Sequence, residues 1–238
     1  MIHRIGMLLP ATNIAVEIEF NRTLPKNYQL FISRVKVSSV DEIGWKEQDA
    51  DMDYQTELLA TIKPEVIIML QTAGSFYGPP GYDADIVKRI QKISGVPGVT
   101  TAHSIGRILK AIGAKKVAML SPYNSSLATT AKQYYKNIHD IEIETVDFFN
   151  LTDVKKIIEL GPEPAEKAIE KLALTKPDAI ILAGGAYQIM EHIPEWERKY
   201  NCTIVSTNQA AIWASIQACN GSEKIQGSGK ILELMPKG

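Results

Sequence analysis

The chain repeats itself. A strand-like run ending in proline, Ile5-Gly6-Met7-Leu8-Leu9-Pro10, returns 112 positions later as Val117-Ala118-Met119-Leu120-Ser121-Pro122. Lys63-Pro64-Glu65-Val66-Ile67-Ile68-Met69-Leu70 returns at an offset of 113 as Lys176-Pro177-Asp178-Ala179-Ile180-Ile181-Leu182-Ala183. A third echo sets Val99-Thr100-Thr101 against Val205-Ser206-Thr207, at 106. Duplication of this kind makes each half form the same α/β unit. It also predicts that Gln71 and Gly184, which follow equivalent strands, stand on opposite walls of one cleft.

The length of 238 residues permits one large domain or two of about 120, and the repeat favours two. Short apolar runs near 4–9, 28–37, 65–70, 97–101, 116–121, 141–148, 178–183 and 203–206 read as strands. The helical stretches between them fall near 13–22, 47–62, 83–94, 103–112, 124–137, 152–173 with a break at Gly161-Pro162, 191–200 and 208–219. Alternation of this type predicts mostly parallel sheets covered on both faces. The expected fold class is therefore α/β. It comprises two Rossmann-like half-domains related by a pseudo-twofold axis, each with a four-stranded parallel sheet and the active site in the cleft between them. Residues 1–112 with the C-terminal helix 208–220 form the first half-domain and 113–207 the second. A tail, 221–238, remains, and in it Ile231-Leu232-Glu233-Leu234 reads as a short edge strand. Asn13, Asp83, Thr152 and Asn208 are placed to cap helices.

Composition narrows the partners. Hydrophobic residues make up 45% and charged residues 22% of the chain, at a formal net charge of −1, which leaves no electrostatic footprint for nucleic acid or an anionic membrane. Neither a signal-peptide pattern nor an apolar run of transmembrane length is present, so a cytoplasmic location is expected. Cys202 and Cys219 share no C-x-x-C spacing and read as ordinary thiols. A small molecule is the expected partner, and the oligomeric state is left open, a homo-oligomer included.

Ligands of open parallel sheets bind beyond the carboxyl ends of the strands. The loops there are Pro10-Ala11-Thr12-Asn13, 71–77, Thr101-Ala102-His103-Ser104, Pro122-Tyr123-Asn124, Gly184-Gly185-Ala186-Tyr187 and Thr207-Asn208-Gln209. None carries Lys, Arg, Asp or Glu. Hydroxyls, amides and backbone N–H groups suit a small carboxylate better than a nucleotide.

These loops also resemble a known group. Gln71-Thr72-Ala73-Gly74-Ser75-Phe76 is similar to a stretch written C-T-S-G-S-F in maleate cis-trans isomerases. Ala183-Gly184-Gly185 through Ile193-Pro194-Glu195 is similar to the S-C-G-G through I-P-E of arylmalonate decarboxylases. Pro10-Ala11-Thr12-Asn13 resembles the isomerase P-S-S-N, and Pro122-Tyr123 a tyrosine-bearing loop. The chain thus resembles the aspartate/glutamate racemase superfamily, in its arylmalonate decarboxylase and maleate isomerase branch.

The resemblance implies cofactor-independent chemistry, without a metal, at a carbon beside a carboxylate. In that branch cysteines from one or both halves act, and here Gln71 and Gly184 stand at the two cysteine positions. The resemblance further implies that Thr72, Tyr123 and the Gly185 N–H cradle the carboxylate or a developing enediolate. Thr12, Asn13, Gln71, Ala73, Gly74, Ser75, Gly184, Tyr187 and Asn208 would complete the substrate site.

His103 and Tyr187, with water, are the candidate proton donors in place of a thiol. Glu17 and Glu19 follow the first loop on a helix whose period turns at least one of them to solvent, so a structural reading leads over a catalytic one for the pair. The Gly74, Gly78 and Gly81 series with Pro79 and Pro80 reads as a flexible lid. A decarboxylase-like lyase acting on a small dicarboxylate is the leading expectation. Isomerisation or racemisation, hydration or elimination with His103 as base is a second, and a catalytically silent carboxylate-binding protein a third.

Overall fold

The computed structural model describes residues 2–238. Its first half runs β1 (His3–Pro10), α1 (Ala15–Thr23), β2 (Tyr28–Val35), α2 (Glu42–Ala60), β3 (Val66–Met69), α3 (Thr72–Tyr77), α4 (Tyr82–Ser94), β4 (Gly98–Thr100) and α5 (Thr101–Ala111). The second runs β5 (Val117–Ser121), α6 (Ser125–His139), β6 (Ile143–Phe148), α7 (Val154–Ile158), α8 (Pro162–Ala173) and β7 (Ala179–Leu182). A 3-10 turn at Met190–His192, α9 (Ile193–Tyr200), β8 (Thr203–Ser206), α10 (Thr207–Ala218) and α11 (Lys230–Leu234) complete the chain.

Each half builds one parallel four-stranded sheet, ordered β2-β1-β3-β4 and β6-β5-β7-β8. The central strands are apolar on both faces because helices cover both. Ile5, Met7, Leu8 and Leu9 of β1, and Ile180 and Ile181 of β7, are wholly buried. In such an order the connections leaving β1 and β3 depart toward opposite faces, which opens a crevice at their carboxyl ends. The same holds between β5 and β7. α10 packs chiefly against α5 and also touches α1, β3 and β4, so the last long helix reaches back to the first sheet. Among the described residues no helix is long and apolar enough to cross a membrane.

All eight expected strands form, whereas several details differ. Residues 72–77 are helical, not loop, because Gln71 supplies a side-chain cap. The apolar patch in the tail is the helix α11 and not an edge strand. Ile231 and Leu232 are buried while Leu234 is exposed, and the Trp213 indole donates to the Pro236 carbonyl at 2.8 Å, stapling the tail to α10.

Asn13 does cap α1, accepting from the Ala15 and Val16 N–H groups at 3.1 and 3.2 Å. The cap of α7 is Asp153 and not Thr152, and that of α10 is Ser206 in a capping box with Gln209, not Asn208. Asp83 instead accepts the hydroxyls of Thr100 and Tyr134. The Gly78–Gly81 segment borders a separate cavity of about 570 Å³ beside α4 and α6, and does not cover the cleft.

Candidate active site

Both crevices meet in one small cavity, about 40 Å³, lined by Thr12 and Asn13 after β1, Gln71, Thr72 and Ala73 after β3, Tyr123 after β5 and Gly185 after β7. Four strand exits from two sheets therefore contribute to a single site. Val37, Val40, Val154 and Ile157 form its apolar side. A lining that combines a few polar groups with branched aliphatic side chains suits a carboxylate with a compact apolar substituent.

Two hydroxyls dominate the polar lining. Tyr123 is 8% exposed, and burial pushes its phenol up to about 12, partly offset by the neighbouring Thr72 hydroxyl. At neutral pH Tyr123 is thus a protonated donor. Thr72 Oγ1 is buried without a hydrogen-bond partner, so the two hydroxyls stand close but do not satisfy each other. A buried polar atom left unpaired costs roughly 1–3 kcal/mol, which favours a ligand that pairs it.

Gln71 has extended backbone, and its Oε1 accepts from the Gly74 N–H at 2.5 Å, inside the first turn of α3. The side chain thereby occupies a backbone donor that an external anion would otherwise use. Gly184 has φ +96°, where only glycine is unstrained, and a Cβ there would lie 2.7 Å from Pro122 Cγ and 3.4 Å from the Tyr123 hydroxyl. The Gly184 position therefore adjoins the Tyr123 phenol. Gly185 is packed closely as well, since an added Cβ would lie 2.8 Å from Leu70 Cδ2 and 2.9 Å from Asn208 Oδ1.

Behind Gly185 lies a buried network that the sequence reading missed. Asn208 Nδ2 donates to the Gly185 carbonyl at 3.1 Å and to Glu19 Oε2 at 2.5 Å, and Glu19 Oε1 accepts from the Met190 N–H at 2.8 Å. Glu19 is 5% exposed, and desolvation raises its pKa despite these hydrogen bonds. It is an anchor between α1 and the segment after β7, not a surface residue. Its position between Ala15, Val16 and Phe20 on the helix face was the available signal. Arg34 plays a similar part on the other wall, donating to the Asn13 carbonyl at 2.5 Å and pairing with Glu17. Asn208 thus supports the cleft from one step behind its lining.

Other expected residues lie elsewhere. His103, exposed on α5, lines the 570 Å³ cavity, and its ring lies 4.7 Å from that of His139. Partial desolvation of the ring, whose residue still keeps an exposed edge, lowers the His103 pKa, and burial pushes His139 down to about 4. One helical turn places His103 on the wrong side of α5 for the cleft. Ser75 also faces the larger cavity, and Gly74 packs on the Gln48 amide, contributing only its N–H. Tyr187 is 3% exposed and donates its hydroxyl to the Gly161 carbonyl at 2.8 Å, so it is wall and not proton donor. Cys202 and Cys219 are buried before β8 and after α10, their thiols pushed up to about 11 and about 12 by burial.

Known proteins share the sequence pattern and the fold. A maleate isomerase of Nocardia farcinica is 23% identical over 244 residues, covering 97% of this chain and 96% of the relative. The arylmalonate decarboxylase of Bordetella bronchiseptica is 22% identical over 237 residues, covering 96% of each. A solved Nocardia farcinica maleate cis-trans isomerase mutant, with a covalently bound succinylcysteine intermediate, superposes with a TM-score of 0.90 at 20% identity, covering 98% of this chain and 99% of that one. The arylmalonate decarboxylase family model matches residues 5–232, and the chain belongs to that family.

Proposed function

We propose that this chain is a cofactor-independent lyase of the decarboxylase type, acting on a small aliphatic dicarboxylate without a catalytic thiol. The observation that carries the reading is the convergence of the Tyr123 phenol, the unpaired Thr72 hydroxyl and Gly185 on one buried cavity. In the reaction, the C–C bond to one carboxylate breaks and carbon dioxide leaves with the electron pair kept on the remaining carbon. The resulting enediolate is held by the two hydroxyls and the Gly185 N–H, each donor contributing on the order of 3 kcal/mol. Tyr123 or a water beside it then returns the proton, the phenol being re-protonated from solvent. By the motif resemblance Gln71 and Gly184 take the two cysteine positions, and this scheme accordingly uses no covalent intermediate of the succinylcysteine kind.

A panel of malonate, maleate, aspartate and hydantoin derivatives at high enzyme concentration tests the proposal. Carbon dioxide release from a substituted malonate, lost in Tyr123→Phe, is the expected result. Absence of turnover across the panel would sink it. A second reading, a carboxylate-binding protein without turnover, is favoured by one specific contact, the Gln71 side chain seated on the Gly74 N–H. It predicts a thermal shift with the same carboxylates following RT ln(1 + [L]/Kd) and no product.

A further inference from the structure

The end of the molecule opposite the cleft gathers a different set of groups. His3 opens β1, Glu65 immediately precedes β3, and Cys219 ends α10, and one donor atom from each lies within 4.8 Å of the other two. His3 Nδ1 and Glu65 Oε2 are 3.0 Å apart. Three atoms so disposed share a point no more than about 2.8 Å from each, against metal–ligand distances of about 2.0–2.3 Å for zinc, so contraction by at most about 0.5–0.8 Å completes three bonds.

The geometry points to a divalent-cation site of zinc or cobalt type formed by the His3 imidazole, a Glu65 carboxylate oxygen and Cys219 Sγ. Imidazole, carboxylate and thiolate together suit these borderline ions and not magnesium or calcium. Cys219 is 6% exposed, while the side chains of His3 and Glu65 are 20% and 39% exposed. The thiol thus forms the floor and one side remains open to a water ligand. An outer layer steadies the donors. The His3 ring stacks on Tyr28 with centroids 4.7 Å apart, and Tyr28 in turn donates to Glu223 at 2.6 Å, beside Asn27 at 3.1 Å. The three ligands come from three elements far apart in sequence, so the ion would pin the start of β1 and the entry to β3 to the end of α10. The site is independent of the chemistry proposed for the cleft.

Untagged protein, stripped with a chelator, is titrated with Co²⁺ and followed by thiolate-to-cobalt absorption in the near ultraviolet and by tetrahedral bands in the visible. Saturation at one equivalent, displacement by Zn²⁺ and a raised thermal midpoint with Zn²⁺ are expected. Cys219→Ala loses the near-ultraviolet band, Cys202→Ala keeps it, and His3→Gln weakens cobalt binding at least about tenfold. No charge-transfer band in the parent protein, or one that persists in Cys219→Ala, overturns the site. Should Cys219→Ala fail to fold, the partly exposed His3→Gln and Glu65→Gln decide, and unchanged cobalt affinity in both overturns it.

Discussion

β3 and β7 hold equivalent places in sheets of the same order, yet the chain leaves them in opposite ways. After β3, Gln71 in extended backbone starts α3 at once and caps it with its own amide. After β7, Gly184 turns at φ +96°, and no helical residue follows before Met190. One exit presents a side chain that fills a backbone donor, whereas the other presents bare backbone braced from behind by Asn208 and Glu19. Duplication fixes where the exits lie, and the residue at each exit decides what they offer a ligand. The cleft is asymmetric for that reason.

The brace gives the largest test of this contrast. Glu19→Leu leaves one Asn208 amide hydrogen and the Met190 N–H without acceptors, at roughly 1–3 kcal/mol each, while the Asn208 bond to the Gly185 carbonyl remains. Urea unfolding should show a loss of about 3 kcal/mol with little change in slope. Burial raises the Glu19 pKa above its ordinary 4.5, so the folded state holds that proton more tightly than the unfolded one. Its contribution is complete below 4.5 and is lost as pH rises through the higher folded value. Glu19→Gln should flatten that part of the stability curve, leaving the slope supplied by Glu197, which is also buried and raised.

Tyr123→Phe should lower turnover by roughly 10²–10³-fold, near 3 kcal/mol in the barrier, with stability changed by less than about 1 kcal/mol. Equal rates for the two proteins would remove the phenol from the chemistry. Gly184→Ala should cost about 2 kcal/mol in thermal or urea unfolding, from a left-handed L residue and its contact with Pro122. Gly161→Ala, with nothing within 4 Å of the added Cβ and no positive φ, is the neutral control.

Gln71→Ala should produce the smallest change in stability, about 1 kcal/mol for a lost cap. It should also enlarge the thermal shift given by small carboxylates, since the Gly74 N–H is freed. A shift that stays the same or shrinks would mean that the Gln71 amide is itself a ligand contact.

The architecture was legible because continuous apolar strands such as Val66–Met69 and Ala179–Leu182 have few other places to go. What escaped were side-chain directions near element ends. His103 was assigned to the cleft by its loop, but α5 begins two residues earlier and rotates it toward His139. Asn208 was read as a cap, yet with Ser206 in that role it is free to turn inward to Glu19. Residues 72–77 lacked a helical signal because six residues with a central glycine carry almost no periodicity, and the decisive contact is one side-chain cap. Tyr123 and Thr72 emerged from the resemblance and their strand-end position together, and both line the cavity.

The hydrogen bonds from Glu19 through Asn208 to Gly185 also have a kinetic meaning. A space of about 40 Å³ is far below the roughly 300–1,000 Å³ of ordinary ligand pockets, so the cleft in this conformation holds only a small group. The wall behind Gly185 is strapped by buried bonds to a carboxylate. Val37 and Val40, also of the lining, have neighbours Lys36 and Ser38 whose N–H groups make exposed bonds to Asp51 and Glu47 of α2. Exposed bonds open first. The Lys36 and Ser38 amides should therefore exchange their hydrogens sooner than the Met190 amide held by Glu19, an order that hydrogen exchange reads directly.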